Sequence, residues 1–209
     1  MTTVTTARKS ARKAKGDGHL RREEILQAAE RIFVAEGYDG ATIRRIADEV
    51  GVSSTALYMH FPDKSAILLE ISRRTFIEQI ERNSDIAARP IDAACRVRMM
   101  LEGYMRWAFA NPNAYQLVFS GPHDVSAVWH EATGDLSARC YAIFSSVVRE
   151  LAAEGRLRTG TADSASQVLW ASCHGVVALV RALPAFDWAS RDELMTVTLD
   201  SLLHGLLAD

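Results

Sequence analysis

The stretch Ala41-Thr42-Ile43-Arg44-Arg45-Ile46-Ala47-Asp48-Glu49-Val50-Gly51-Val52-Ser53-Ser54-Thr55-Ala56-Leu57-Tyr58-Met59-His60-Phe61-Pro62 decides how this chain is read. Behind Thr42, a good N-cap, the apolar positions Ile43, Ile46, Ala47 and Val50 recur at helical spacing. Gly51 permits a tight turn and Ser53 caps a second short helix. That helix turns Ala56 and Leu57 inward before Phe61 and Pro62 stop it. Two short helices joined across a glycine at this spacing form a helix-turn-helix pattern, whose second helix fits a DNA major groove. An αα-corner of a helical bundle has the same outline.

Charge placement favours the first reading. Arg44 and Arg45 sit in the first turn of one helix and Lys64 in the first turn of the next. The helix dipole disfavours a cation there by about 0.3–1 kcal/mol. Three such cations point to an external anion such as DNA phosphate, with Thr42, Tyr58 and His60 as further donors. Ser53, Ser54 and Thr55 open the second helix with short polar side chains, which let it approach base edges closely.

Upstream, the spacing predicts a helix over 19–36, with Ile25, Ala28, Ala29, Ile32 and Phe33 on one face and Gly37 as its C-terminal cap. Residues 1–18 hold one valine and no aromatic side chain, too little to offset chain entropy, and read as a disordered basic arm. Residues 1–22 carry seven basic side chains against Asp17 alone, so this end is +6 and the other 187 residues are −8. Downstream, Asp63 caps a fourth helix whose stripe is Ile67, Leu68, Ile71 and then Phe76 or Ile80. Longer helices follow over 90–110, 113–120, 124–154, 162–183 and 190–207, with Pro90 at a first helical position and Ser190 and Glu193 as a capping box. No segment alternates like a strand. The expected fold is all-α with about nine helices: an N-terminal three-helix unit over 19–66 and a larger helical unit over 67–209.

At 209 residues, 48% apolar and 24% charged, the chain can bury a real core. A net charge of −2 excludes both a polybasic nucleic-acid coat and a strongly acidic tail. The longest nearly apolar stretch, 168–180, falls short of a membrane span, and nothing apolar accumulates before Ile25 as a secretory signal requires. A cytoplasmic protein without membrane contact is expected. Cys95, Cys140 and Cys173 are odd in number and widely spaced, as reduced thiols are. His123 and His130 are seven apart, without the i, i+4 spacing of a metal pair. Neither a metal nor a cofactor is expected. With no Gly-rich phosphate loop, nucleophile elbow or tight carboxylate pair, neither is an enzyme.

The run 41–68 strongly resembles the DNA-binding domain of TetR-family transcriptional regulators. It shares the Ile46-Ala47, Gly51-Val52-Ser53 and Leu57-Tyr58-x-His60-Phe61 elements, with Lys64-x-x-Ile67-Leu68 after them, and the likeness extends back through Arg22 to Gly40. The resemblance implies a homodimer on double-stranded DNA with a helical ligand domain behind the helix-turn-helix. It puts DNA contacts on Thr42, Arg44, Ser53, Ser54, Thr55, Ala56, Tyr58, Met59, His60 and Lys64. Residues 111–115 and Leu169-Trp170 through His174-Gly175 look like a subgroup whose C-terminal domain has a Trp-His-Gly signature.

Ala171, Gly175, Ala178 and Ala182 lie on adjoining turns of helix eight, and Thr198, Ser201, Leu202 and Gly205 on helix nine. Small residues so placed allow close helix approach, in a two-fold dimer bundle or inside one subunit. The resemblance also places a ligand cavity among helices five to eight, where Met100, Tyr104, Trp107, Tyr115, Trp129, Tyr141, Phe144, Trp170 and His174 are found. Such a set lines a pocket or simply fills a core. The expectation is a dimeric repressor released from a palindromic operator by a small apolar or aromatic effector, of the kind that controls an efflux or detoxification gene. An architectural or activating DNA binder without an effector is the alternative.

Overall fold

The computed structural model describes residues 17–119 and 126–208, with side chains over 21–119 and 133–208. Residues 1–16 of the expected arm and the side chain of Trp129 lie outside the described residues, while Asp17 and Gly18, also expected in the arm, begin the first helix. The described chain is all-α, in nine helices. It divides into two compact units, one through Lys64 and one from Ser65 onward.

The first unit holds α1 (Asp17–Gly40), α2 (Ile43–Glu49) and α3 (Ser54–Tyr58). Regular helix in α1 is interrupted at Gly37, where φ is +75°, a conformation that favours glycine. Thr42 and Ser53 cap the next two helices as expected, their side chains accepting from Arg45 N and Ala56 N. Gly51, φ +68°, makes the turn between them. Ile25, Ala28, Ala29 and Ile32 from α1 form the core with Ile46, Ala47, Leu57 and Phe61, all nearly solvent-free. Two arginines of α1 pin the helix-turn-helix: Arg21 donates to Val50 O at 3.1 Å, and Arg22 donates to His60 O at 3.2 Å while stacking on the Phe61 ring.

The second unit is built from α4 (Lys64–Ala87), α5 (Ala93–Ala110), α6 (Pro112–Phe119), α7 (Ser126–Ala153), α8 (Ala162–Ala182) and α9 (Arg191–Leu206). α5 packs against α7, α8 and α9 and gives the core Val97, Met100, Leu101 and Met105. Val147 and Leu151, Leu169 and Val177, and Leu199 meet them from the other three.

Two local expectations are corrected. Helix five starts at Ala93 rather than Pro90, because the Asp92 carboxylate accepts from Ala94 N and Cys95 N and so takes the cap. Helix six starts at Pro112 rather than 113, as the missing N–H of proline suits a first position. Among the described residues, one isolated antiparallel bridge joins Leu157 and Leu207, with Arg158 N donating to Leu206 O and Ala208 N to Arg156 O. Those two segments are far apart along the chain, beyond the reach of local periodicity.

Candidate DNA interface and ligand cavity

In the first unit, α3 presents a small-residue face. Leu57 is fully buried, while Ser53, Thr55, Tyr58 and Met59 are exposed, Met59 to 86%. Ser54, Ala56 and His60 are half-buried between them. Thr42 and Arg44, exposed at the start of α2, belong to the same helix-turn-helix.

Two of the three cations expected to meet an outside anion have partners within the fold. Lys64 Nζ donates to Tyr38 O at 2.7 Å and Ala41 O at 3.3 Å and lies over the Tyr38 ring. It ties down the end of α1. Arg45 is bound to Glu36 and Glu49, each at 3.1 Å. Both cations therefore offset their unfavourable helix ends internally, so position at a helix end does not by itself mark them as phosphate contacts. Arg44 keeps its charge outward, with its side chain 86% exposed and Asp48 no closer than 3.9 Å.

The second unit encloses a cavity of about 350 Å³. Tyr104 and Trp107 of α5, Phe119 of α6, Tyr141 and Phe144 of α7 and Trp170 of α8 form its aromatic wall. Of the residues expected at a ligand, Met100 and Tyr115 are instead buried core, and His174 stands one layer back. The Tyr104 hydroxyl lies 2.8 Å and the Tyr115 hydroxyl 3.0 Å from His174 Nδ1. Burial holds the imidazole below its ordinary pKa and both phenols above theirs. The two hydroxyls converge on His174 Nδ1, and His174 orients Tyr104 toward the cavity without lining it.

α4 lines the same cavity through Thr75, Phe76, Gln79 and Asn83, which are absent from the expected ligand set. A signal was there: Ser72, Thr75, Gln79 and Asn83 recur at helical spacing beside the apolar stripe, and all four are buried. A polar stripe on an inward face is the mark of something other than plain core.

On α8 and α9, Ala171, Ala182, Ser201 and Gly205 are exposed, and Gly175, Ala178, Thr198 and Leu202 are exposed or half-buried beside them. Large apolar side chains stand in solvent among them: Leu179 is 53% exposed and Val197 58%. Among the described residues, no helix is long and apolar enough to cross a membrane, and no group of three or more His, Cys, Asp or Glu could hold a metal.

Residues 25–71 match the model described as bacterial regulatory proteins, tetR family, and residues 97–202 match that of the tetracyclin repressor-like C-terminal domain. The chain belongs to the TetR family. It is 31% identical over 125 residues to the HTH-type transcriptional repressor Rv1474c of Mycobacterium tuberculosis, covering 58% of this chain and 64% of that one. It is also 36% identical over 102 residues to the nucleoid occlusion factor SlmA of Vibrio vulnificus, covering 47% of this chain and 50% of that one. These matches thus span about half to two thirds of the relatives' own length. The TetR-family regulator PfmR of Thermus thermophilus shares the fold, with a TM-score of 0.75 at 22% identity over 87% of this chain and 97% of that one.

Proposed function

We propose that the chain is a repressor that binds a palindromic operator as a homodimer and lets go when a small molecule enters the second unit. The aromatic cavity carries this reading: a solid core would serve an architectural role, whereas about 350 Å³ of apolar space falls at the lower end of the roughly 300–1,000 Å³ typical of small-molecule sites. Thr42, Arg44, Ser53 to Ala56, Tyr58, Met59, His60 and Lys64 form the DNA-facing set. Ala171, Gly175, Ala178, Ala182, Thr198, Ser201, Leu202 and Gly205 pair the subunits. The C-terminal unit is read as one of the Trp-His-Gly subgroup, a reading supported by Trp170, His174 and Gly175, and the protein works in the cytoplasm, beside the chromosome, on a gene of transport or detoxification.

Two recognition helices of a dimer must meet successive major grooves about 34 Å apart. A ligand that binds better to a dimer with another separation shifts the population away from the DNA-competent form. SlmA, a nucleoid occlusion factor by name, is the relative that favours the architectural alternative. The two readings separate in one experiment. Trp107, Trp129, Trp170 and Trp188 all lie in the second unit, so intrinsic fluorescence reports on it alone. Aromatic compounds that quench this fluorescence should release operator DNA at the same concentrations, since coupling between sites is reciprocal. Quenching without release favours the architectural role.

A further inference from the structure

The polar stripe of α4 gives the cavity a chemistry its aromatic wall does not explain. Gln79 and Asn83, one helical turn apart, are only 6% and 7% exposed, and each leaves a side-chain atom without a partner: Nε2 of Gln79 and Oδ1 of Asn83. The Tyr141 hydroxyl, on the same cavity, is a third atom without a partner. Buried polar groups are almost always satisfied, so three orphans on residues lining one cavity call for a ligand.

Their neighbours fix what that ligand must offer. Arg82 Nη2 donates to Gln79 Oε1. A guanidinium has donors only, so the carbonyl end of this amide must face Arg82 and the free end is an N–H donor. Asn83 Nδ2 lies 4.0 Å from Cys140 Sγ. A thiol both gives and takes weak hydrogen bonds, so the Asn83 amide can turn over and present its N–H₂ as well. Arg82 is packed beside Gly103, where a Cβ would come within 3.1 Å of its Nε, and that Nε has no partner. No Asp or Glu is among the described residues that line the cavity. The polar end thus offers donors, backed by a cation, in a poorly solvated place where charge acts strongly.

We propose, building on the ligand-responsive reading, that the effector is a compact apolar body with a carboxylate head, the carboxylate accepting from Gln79 Nε2 and a turned Asn83, with Arg82 behind. The body lies against Tyr104, Trp107 and Phe144. An ammonium head would meet donors and a like charge. A carboxamide head can accept from Gln79 Nε2 and donate to Asn83 Oδ1 as that amide stands, but it carries no charge for Arg82 to balance, so the ranking of acid against amide decides between the two heads.

The test is calorimetric titration of the full chain with three probes of one shape: 4-phenylbutyrate, 4-phenylbutanamide and 4-phenylbutylamine. The acid is expected to bind at least tenfold tighter than the amide, and the amine to give no measurable binding. Gln79→Met should weaken the acid about tenfold, to the level of the amide, and Gln79→Glu should abolish acid binding, with circular dichroism verifying the fold of each. The ranking on the unaltered chain stands even where a variant fails to fold. An amide or amine that binds as tightly as the acid, an acid indifferent to Gln79→Met, or no binding by any probe overturns the carboxylate site. Operator release by a neutral arene with no acid binding would sink this proposal and leave the ligand-released repressor standing. Acid binding with DNA retained would do the reverse.

Discussion

The helix-turn-helix unit and the cavity-bearing unit place function in opposite ways. In the first, the side chains proposed to face DNA fall within residues 42–64, and caps, a glycine turn and short helices fix their directions. In the second, the cavity gathers side chains from residue 75 to residue 170 on five helices, and no local rule brings them together. A surface that meets a large, regular partner can be written locally. A space that holds a small molecule has to be enclosed by tertiary packing, and its polar groups show their purpose only by lacking partners.

Substitutions sharpen this contrast, and the largest effect is expected at the small-residue face of α8 and α9. An added Cβ at Gly175 or Gly205 meets nothing within 4 Å in the chain itself, so an arginine there should leave the fold intact. Gly175→Arg and Gly205→Arg are expected to give monomers by light scattering, with operator binding lost. Dimers that persist would move the interface to another face.

Next come Arg44 and Thr55. Arg44→Ala should weaken binding to every operator variant alike, about tenfold at low salt, and flatten the logarithmic salt slope by about one. Thr55→Ala should instead alter base preference at one position of each half-site. Equal losses across sequences for both variants would erase the division between phosphate and base contacts.

Lys64 tests whether an internal partner takes up its charge. Because it donates to the Tyr38 and Ala41 carbonyls, Lys64→Ala should cost about 1 kcal/mol of stability and lower the melting point by a few degrees. Unchanged melting together with weaker DNA binding would return Lys64 to a pure phosphate contact.

The smallest effect concerns pH. The folded imidazole of His174 is held below its ordinary value by burial, so the unfolded chain binds more protons between the two values. The contribution of this site to stability is present above about pH 6.5 and is lost as pH falls through the depressed value. Urea melts of the wild type and of His174→Gln should therefore converge on acidification. A constant gap between them from about pH 8 to about pH 5 would mean that the ring titrates alike in both states.

The α8 helix shows where sequence reading stops. The helix itself was legible from its period, with Thr161 and Ser164 closing a capping box at its start. Trp170 and His174, one turn apart, read alike as pocket candidates, yet Trp170 lines the cavity and His174 holds Tyr104 from behind. Periodicity gives a residue's face, while its depth depends on what packs over it. Lys64 makes the same point for charge: its helix position was legible, but the Tyr38 and Ala41 carbonyls came from the end of another helix. The stripe from Ser72 to Asn83 is visible in the sequence too, but polar side chains at helical spacing look the same on a solvated face as on an inward one. Only their burial separates the two.

Whether α2 and α3 read DNA in duplicate is decided by selection from a random pool of DNA fragments with the purified full chain. Enrichment of one inverted repeat is expected, its half-sites centred about one helical turn, roughly 34 Å, or a multiple of it apart. A pool that stays random, or one enriched in a single asymmetric site, would contradict it.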